Sequence, residues 1–217
     1  MPPERRSLTP PYFAQWESPR LVRAFLAGRG AETDPRWAGS GAESRAEYAH
    51  WADHLCGMAC LKMALAARGR HWTIHALRRA VQRHGGYAET AQGIRGLIYA
   101  GAVEWLQEQG IAADIRVDLT AGGLPPLLAG HLIIASVHPA IRRPEGAAPG
   151  RGGHLVLVFG TDRQGRLRFH NPSGDSVATQ RDVRLSPGEF GRFFAGRGML
   201  LPRSHACAAH RPAAAER

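Results

Sequence analysis

Cys56 is the residue of this chain best placed to do chemistry. It precedes Gly57 and a run of helix formers, Met58, Ala59, Leu61, Met63, Ala64 and Leu65, with Lys62 the one charge before Arg68. The pattern predicts a buried helix that opens at the cysteine and stops at Gly69. A thiol at such a start faces unpaired backbone N–H groups and the positive end of the helix dipole, and both favour the nucleophilic thiolate. Cys60 lies one turn further on, past those N–H groups, and reads as a small buried hydrophobe. The same plain reading applies to Cys56 unless partners for it exist elsewhere.

Thiolate catalysis needs a base within hydrogen-bond reach of sulfur, a group that fixes the imidazole, and donors for the developing oxyanion. His154 follows Gly152-Gly153 and begins the apolar run Leu155-Val-Leu-Val-Phe159. The turn Gly160-Thr-Asp-Arg-Gln-Gly165 leads into Leu167 to Phe169, which end at His170-Asn171-Pro172. In an antiparallel pair joined by a tight turn, the first residue of one strand lies near the last of the other, so His154 and Asn171 are expected to be neighbours. His138 and His170, each beside a strand end, compete with His154 as the base. An Asn before Pro also caps turns, which is the plain reading of Asn171.

Several elements must position these residues. Ser18-Pro19 predicts a helix over 21–27 and Thr73 one over 74–82, while 90–109 reads as one or two helices broken near Gly101. Strands are expected over 111–119, 132–137, 154–159, 167–169 and 198–201, with a helix after Ser186-Pro187. Residues 29–47 look like a long surface connection with little regular structure, and 139–153 a long Pro/Gly/Arg loop. Helices first and antiparallel strands second give an α+β fold with the nucleophile helix packed against the sheet.

Composition sets the limits. A chain of 217 residues suffices for one core, and the reading divides it into an extension over 1–10, one domain over 11–201 and a disordered tail over 202–217. The net charge of +10 comes almost wholly from scattered arginines, Lys62 being the sole lysine. That usage is the mark of a GC-rich coding genome, and no specific nucleic-acid partner is expected. Three cysteines, no apolar leader and no run long enough to span a bilayer point to a cytoplasmic protein with no membrane partner. His50, His54, Cys56 and Cys60 form a ladder that matches no common zinc spacing, so neither metal nor cofactor is expected.

The pattern Cys-Gly-x-Ala-Cys-Leu-x-Met at 56–63, with Gly153-His154 before an apolar strand and Asn-Pro-x-Gly at 171–174, resembles the bacteriocin-processing cysteine peptidases and their freestanding relatives in the papain-like superfamily. The resemblance implies a papain-like fold over most of 11–201, with Cys56 as nucleophile, His154 as base and Asn171 as its orienting partner. Pro11-Tyr-Phe-Ala-Gln15 looks like the segment that carries the oxyanion-hole glutamine in those relatives. His50, six residues before Cys56, stands where the transporter-linked members place theirs. The chain departs from the family in having Asn171 where Asp is usual and in the length between Gln15 and Cys56.

The function so implied is a cysteine peptidase acting on a peptide or acyl substrate through a thioester. An acyl-transferring or amide-forming enzyme would use the same site on a peptide or an acyl carrier. A non-catalytic peptide-binding module is the third reading, against which the full set of Gln15, Cys56, His154 and Asn171 weighs. The oligomeric state is left open.

Overall fold

The computed structural model describes residues 9–203. Ser18 and Pro19 open a 3-10 turn over Pro19–Leu21 that runs into α1 (Val22–Leu26). Ser44 then caps α2 (Arg45–Ala52) by accepting from the Glu47 amide. Helix α3 (Cys56–Ala66) follows, and α4 (Ile74–Arg83) is capped by Thr73. A two-stranded hairpin, β1 (Glu89–Thr90) with β2 (Gly93–Ile94), precedes α5 (Tyr99–Glu108). Next come β3 (Asp114–Arg116), α6 (Leu124–Leu127), β4 (His131–Val137), β5 (His154–Thr161) and β6 (Leu167–His170). The chain continues through α7 (Val177–Gln180), β7 (Val183–Leu185), α8 (Pro187–Gly191) and β8 (Phe194–Pro202). The fold is α+β, with an antiparallel six-stranded sheet in the order β3-β8-β4-β5-β6-β7.

Helix α3 is apolar on every side and is accordingly enclosed, eight of its eleven residues being buried. Met58, Leu61, Met63 and Leu65 pack with Leu155, Leu157 and Phe159 of β5, which alternate toward them. Val156 and Val158 point the other way, into a second core with Phe169, Phe190 and Phe193. Gly57 is required by closeness: a Cβ there would lie 2.7 Å from Leu97 and 2.9 Å from Leu155. Truncating Leu61 to Ala would cost about 2–5 kcal/mol, the range for a fully buried leucine.

Residues 29–47 differ from the loose connection the composition suggests. Two 3-10 turns, Ala31–Thr33 and Trp37–Ser40, flank Asp34, which is wholly buried. Its carboxylate accepts from Ser18 N (3.1 Å), Ser18 Oγ (2.6 Å), Tyr48 OH (2.6 Å) and Arg36 N (2.9 Å). A polar hub here does the work of an apolar stripe, and so leaves no hydrophobic period to read. The start of α2, within this stretch, also went unexpected. Likewise 90–109 begins as a hairpin, not a helix. Gly101 lies inside α5, where a Cβ would lie 2.3 Å from the His84 carbonyl oxygen and the Gly86 nitrogen. The expected tail, apart from Pro202 and Arg203, lies outside the described residues, as do residues 1–8 of the expected extension. Pro10 is buried and its carbonyl accepts from His170 Nε2 at 2.9 Å, while β8 runs on to Pro202. No helix among the described residues is long and apolar enough to cross a membrane.

Candidate active site

Cys56 is the first residue of α3 and is partly buried. The backbone N–H groups of Leu155 and Gly57 lie near enough to its sulfur to favour the thiolate, so the thiol meets the sheet at the very start of β5. Burial pushes the thiol up from its ordinary range, against those N–H groups and the positive charge of Arg142. The position at the helix start therefore gives the expected pull toward thiolate but not the net result, because desolvation is the larger effect. Cys60 is fully buried, its thiol pushed well up by desolvation, and it donates to the Leu155 carbonyl at 3.5 Å.

His154 starts β5 and is buried, and its Nε2 lies 2.8 Å from Asn171 Oδ1. The two are not directly opposed in the ladder. Leu157 pairs with His170, β6 ends there, and the register shifts between Val158 and Gly160. Asn171 is instead held by a turn, its N–H bonding to Gln180 O. Gly152 and Gly153 both have positive φ, +84° and +90°, which lets the preceding loop bend sharply into the strand.

The turn fixes the imidazole proton. Ser173 N–H can only donate, and it lies 3.1 Å from the same Asn171 oxygen, so that atom must be Oδ1 and the His154 nitrogen facing it must carry the hydrogen. The Nδ1 lone pair is then left for chemistry. Ser173 Oγ is 3.0 Å from His154 Nε2 and is in turn gripped by Arg142, through Nη2 at 2.7 Å and Nε at 3.1 Å, with Nε also donating to Ser173 O at 2.8 Å. Burial lowers the His154 pKa to about 4, the Asn171 hydrogen bond opposing this and the Arg142 charge adding to it. Both shifts favour the uncharged form, of the imidazole and of the thiol. Among the described residues no hydrogen bond joins Cys56 to His154, but both line one cleft of about 450 Å³.

Gln15 is buried, its N–H bonding to Pro172 O at 3.0 Å and its Nε2 to Ala52 O at 3.0 Å. It is thereby tied both to the Asn171 turn and to the end of α2 just before Cys56, with one of its two amide hydrogens uncommitted. His50 is on the surface, half exposed, 2.7 Å from Glu89. Of the competing bases, His138 accepts from the Ala140 amide through Nδ1. His170 has both ring nitrogens engaged, Nδ1 accepting from Asp182 N and Nε2 donating to Pro10 O. Among the described residues no group of three or more His, Cys, Asp or Glu side chains is arranged to hold a metal ion.

Ser173 and Arg142 were missed by the sequence reading. Ser173 reads as a turn residue after Asn-Pro, and Arg142 is one arginine among many; the signal that links them exists only in the folded contacts. Asn171 Nδ2 is buried without a hydrogen-bond partner, a cost of about 1–3 kcal/mol. The orphan points to a side chain kept for what its oxygen does.

No protein-family model and no curated protein matches the chain. One solved structure to which it is similar is the peptidase domain of Streptococcus ComA, a bifunctional ABC transporter involved in a quorum-sensing pathway. The match covers 69% of this chain and 92% of that one, at 18% identity and a TM-score of 0.47, a likeness too low to bear on activity.

Proposed function

We propose that this chain is a cysteine peptidase or closely related acyl-transfer enzyme of papain-like type, working through a thioester on Cys56. The observation that carries the reading is the His154–Asn171–Ser173 array, which gives the imidazole a defined tautomer with Nδ1 as the base. As Cys56 sulfur bonds to a substrate carbonyl carbon, its proton passes to His154 Nδ1 and the carbonyl π electrons move to oxygen. The Cys56 backbone N–H and the uncommitted Gln15 N–H are assigned to that oxyanion. When the intermediate collapses, the carbon–nitrogen bond breaks and the amine leaves with the proton from Nδ1, giving the thioester. Water, deprotonated by Nδ1, then releases the acid and restores the thiol. Because burial favours the neutral form of both thiol and imidazole, His154 is assigned the part of a general base at the moment of attack. A reducing compartment, the cytoplasm, suits a free thiol in this role.

An intact-mass experiment with a peptide vinyl sulfone tests the reading. One adduct on Cys56, lost in Cys56→Ala, is the expected result. Labelling that persists in Cys56→Ala, or that maps first to Cys60, would overturn it.

A further inference from the structure

The cleft shared by Cys56 and His154 has a far wall that the chemistry above does not use. It is built by Ser136, Tyr99 and Arg197. Arg197 arrives there through an irregularity in the sheet. Ala135 pairs with Gly198 and Val137 with Phe194, so the three residues 195–197 of β8 stand opposite Ser136 alone. Gly196, with φ +71°, takes the bend. Such a bulge re-aims a side chain, and bulges gather beside active sites for that reason. Here the arginine joins the wall 3.7 Å from the position a Gly152 Cβ would take.

Arg197 is solvent-exposed at the mouth of the cleft, and no ion pair or hydrogen bond among the described residues ties its guanidinium down. The Tyr99 hydroxyl is shut away from solvent and makes no hydrogen bond of normal geometry among the described residues, with Arg197, Cys60, Cys56 and Ser136 near enough to act on it. A guanidinium, a phenol and a hydroxyl that face one cleft with no acid to answer them form a donor set. The rest of the lining, Gly96, Leu97 and Leu155, is small or apolar.

We infer that this wall recognises a carboxylate of the substrate, held by Arg197 with Tyr99 and Ser136 behind it, while the reacting carbonyl sits at Cys56. The inference rests on the proposed function and names its substrate class: acidic peptides or acids, the carboxylate being either a Glu or Asp side chain beside the cleaved bond or a free C-terminus.

N-acetyl tripeptide vinyl sulfones with Glu, Gln or Lys at each position in turn, timed by intact mass, test the side-chain source. Peptide pairs ending in acid or amide, timed by cleavage, test the C-terminal one. The expected result is a preference of about tenfold for the carboxylate in one series, lost in Arg197→Gln and turned toward Lys in Arg197→Glu, with Cys56 still alkylated by iodoacetamide in both. Absence of the preference from both series, or its survival in Arg197→Gln, would overturn the inference. A binding readout separates this from failure of the catalytic reading. In Cys56→Ala protein, the Arg197 Nε–H NMR signal should shift with acetyl-Ala-Ala-Glu and not with its Gln-amide analogue. No shift sinks the carboxylate wall even if Cys56 reacts, and a shift upholds it even if Cys56 does not.

Discussion

Two of the buried polar networks among the described residues are finished differently. Around Asp34 each carboxylate oxygen accepts two hydrogen bonds, from Ser18 Oγ and Arg36 N on one side and from Ser18 N and Tyr48 OH on the other. Burial alone would raise the Asp34 pKa, but these donors outweigh it and hold the carboxyl below its usual range. Around Asn171 three donors crowd Oδ1 while Nδ2 finds no acceptor, and the imidazole they orient keeps a bare lone pair. A network closed on itself is scaffolding. One left open on a nucleophile's side stores reactivity at the expense of stability.

The comparison breaks most visibly at the nucleophile. Cys56→Ala should abolish turnover, while Cys60→Ser, whose side chain serves only the core, should retain most of it; steady-state kinetics on both variants decide this. Next, Asn171→Ala should lower kcat/KM by about a hundredfold, since a freely rotating imidazole forfeits its orientation. Asn171→Asp should remain within about tenfold of the parent, because the carboxylate accepts the same bonds and removes the orphan donor.

The pH profile sharpens the contrast. His154 works as a base only when unprotonated, so the acid limb of kcat/KM lies near its pKa of about 4. A carboxylate at 171 favours the imidazolium and raises that pKa, so Asn171→Asp should move the limb to higher pH. Arg142→Met should move it the same way by removing a positive charge, with a smaller loss of rate, about tenfold. An unmoved limb in both would detach the Arg142–Ser173 arm from the imidazole.

The smallest effect on catalysis belongs to the closed network. Asp34→Ala should leave kcat nearly unchanged and lower stability by about 2 kcal/mol, as donors are left unpaired. Because the folded pKa is depressed, the Asp34 contribution is complete above the unfolded value of about 4. It is lost as pH falls through the folded value. Urea melts of parent and variant should therefore converge in acid. A large drop in kcat for Asp34→Ala at full folding would erase the distinction drawn between the two networks.

The helix at Cys56 was legible because it is apolar all round and ends at a glycine, and the proximity of His154 to Asn171 because hairpin topology demands it. What the pattern concealed was register and desolvation. The ladder stops at His170, and a turn bonded to Gln180 carries Asn171 onward, a step no alternation of side chains encodes. The thiol was placed at the helix start, yet its titration is governed by how much chain covers it, which only packing decides. Residues 29–47 were misread because a single buried carboxylate leaves no period, and Arg142 because its meaning lies in Ser173, thirty-one positions away.

The place of β8 bears on how the cleft comes into being. It is the last strand of the described chain, yet it inserts between β3 and β4, inside the sheet. Until it docks, β4 lacks a neighbour on one edge and Arg197 is absent from the cleft. Contacts between residues so distant in sequence form late, because the loop they close is long. During synthesis, then, the Cys56 thiol is made early while the cleft around it waits for β8, so a partly made chain carries the thiol without the wall that completes its cleft.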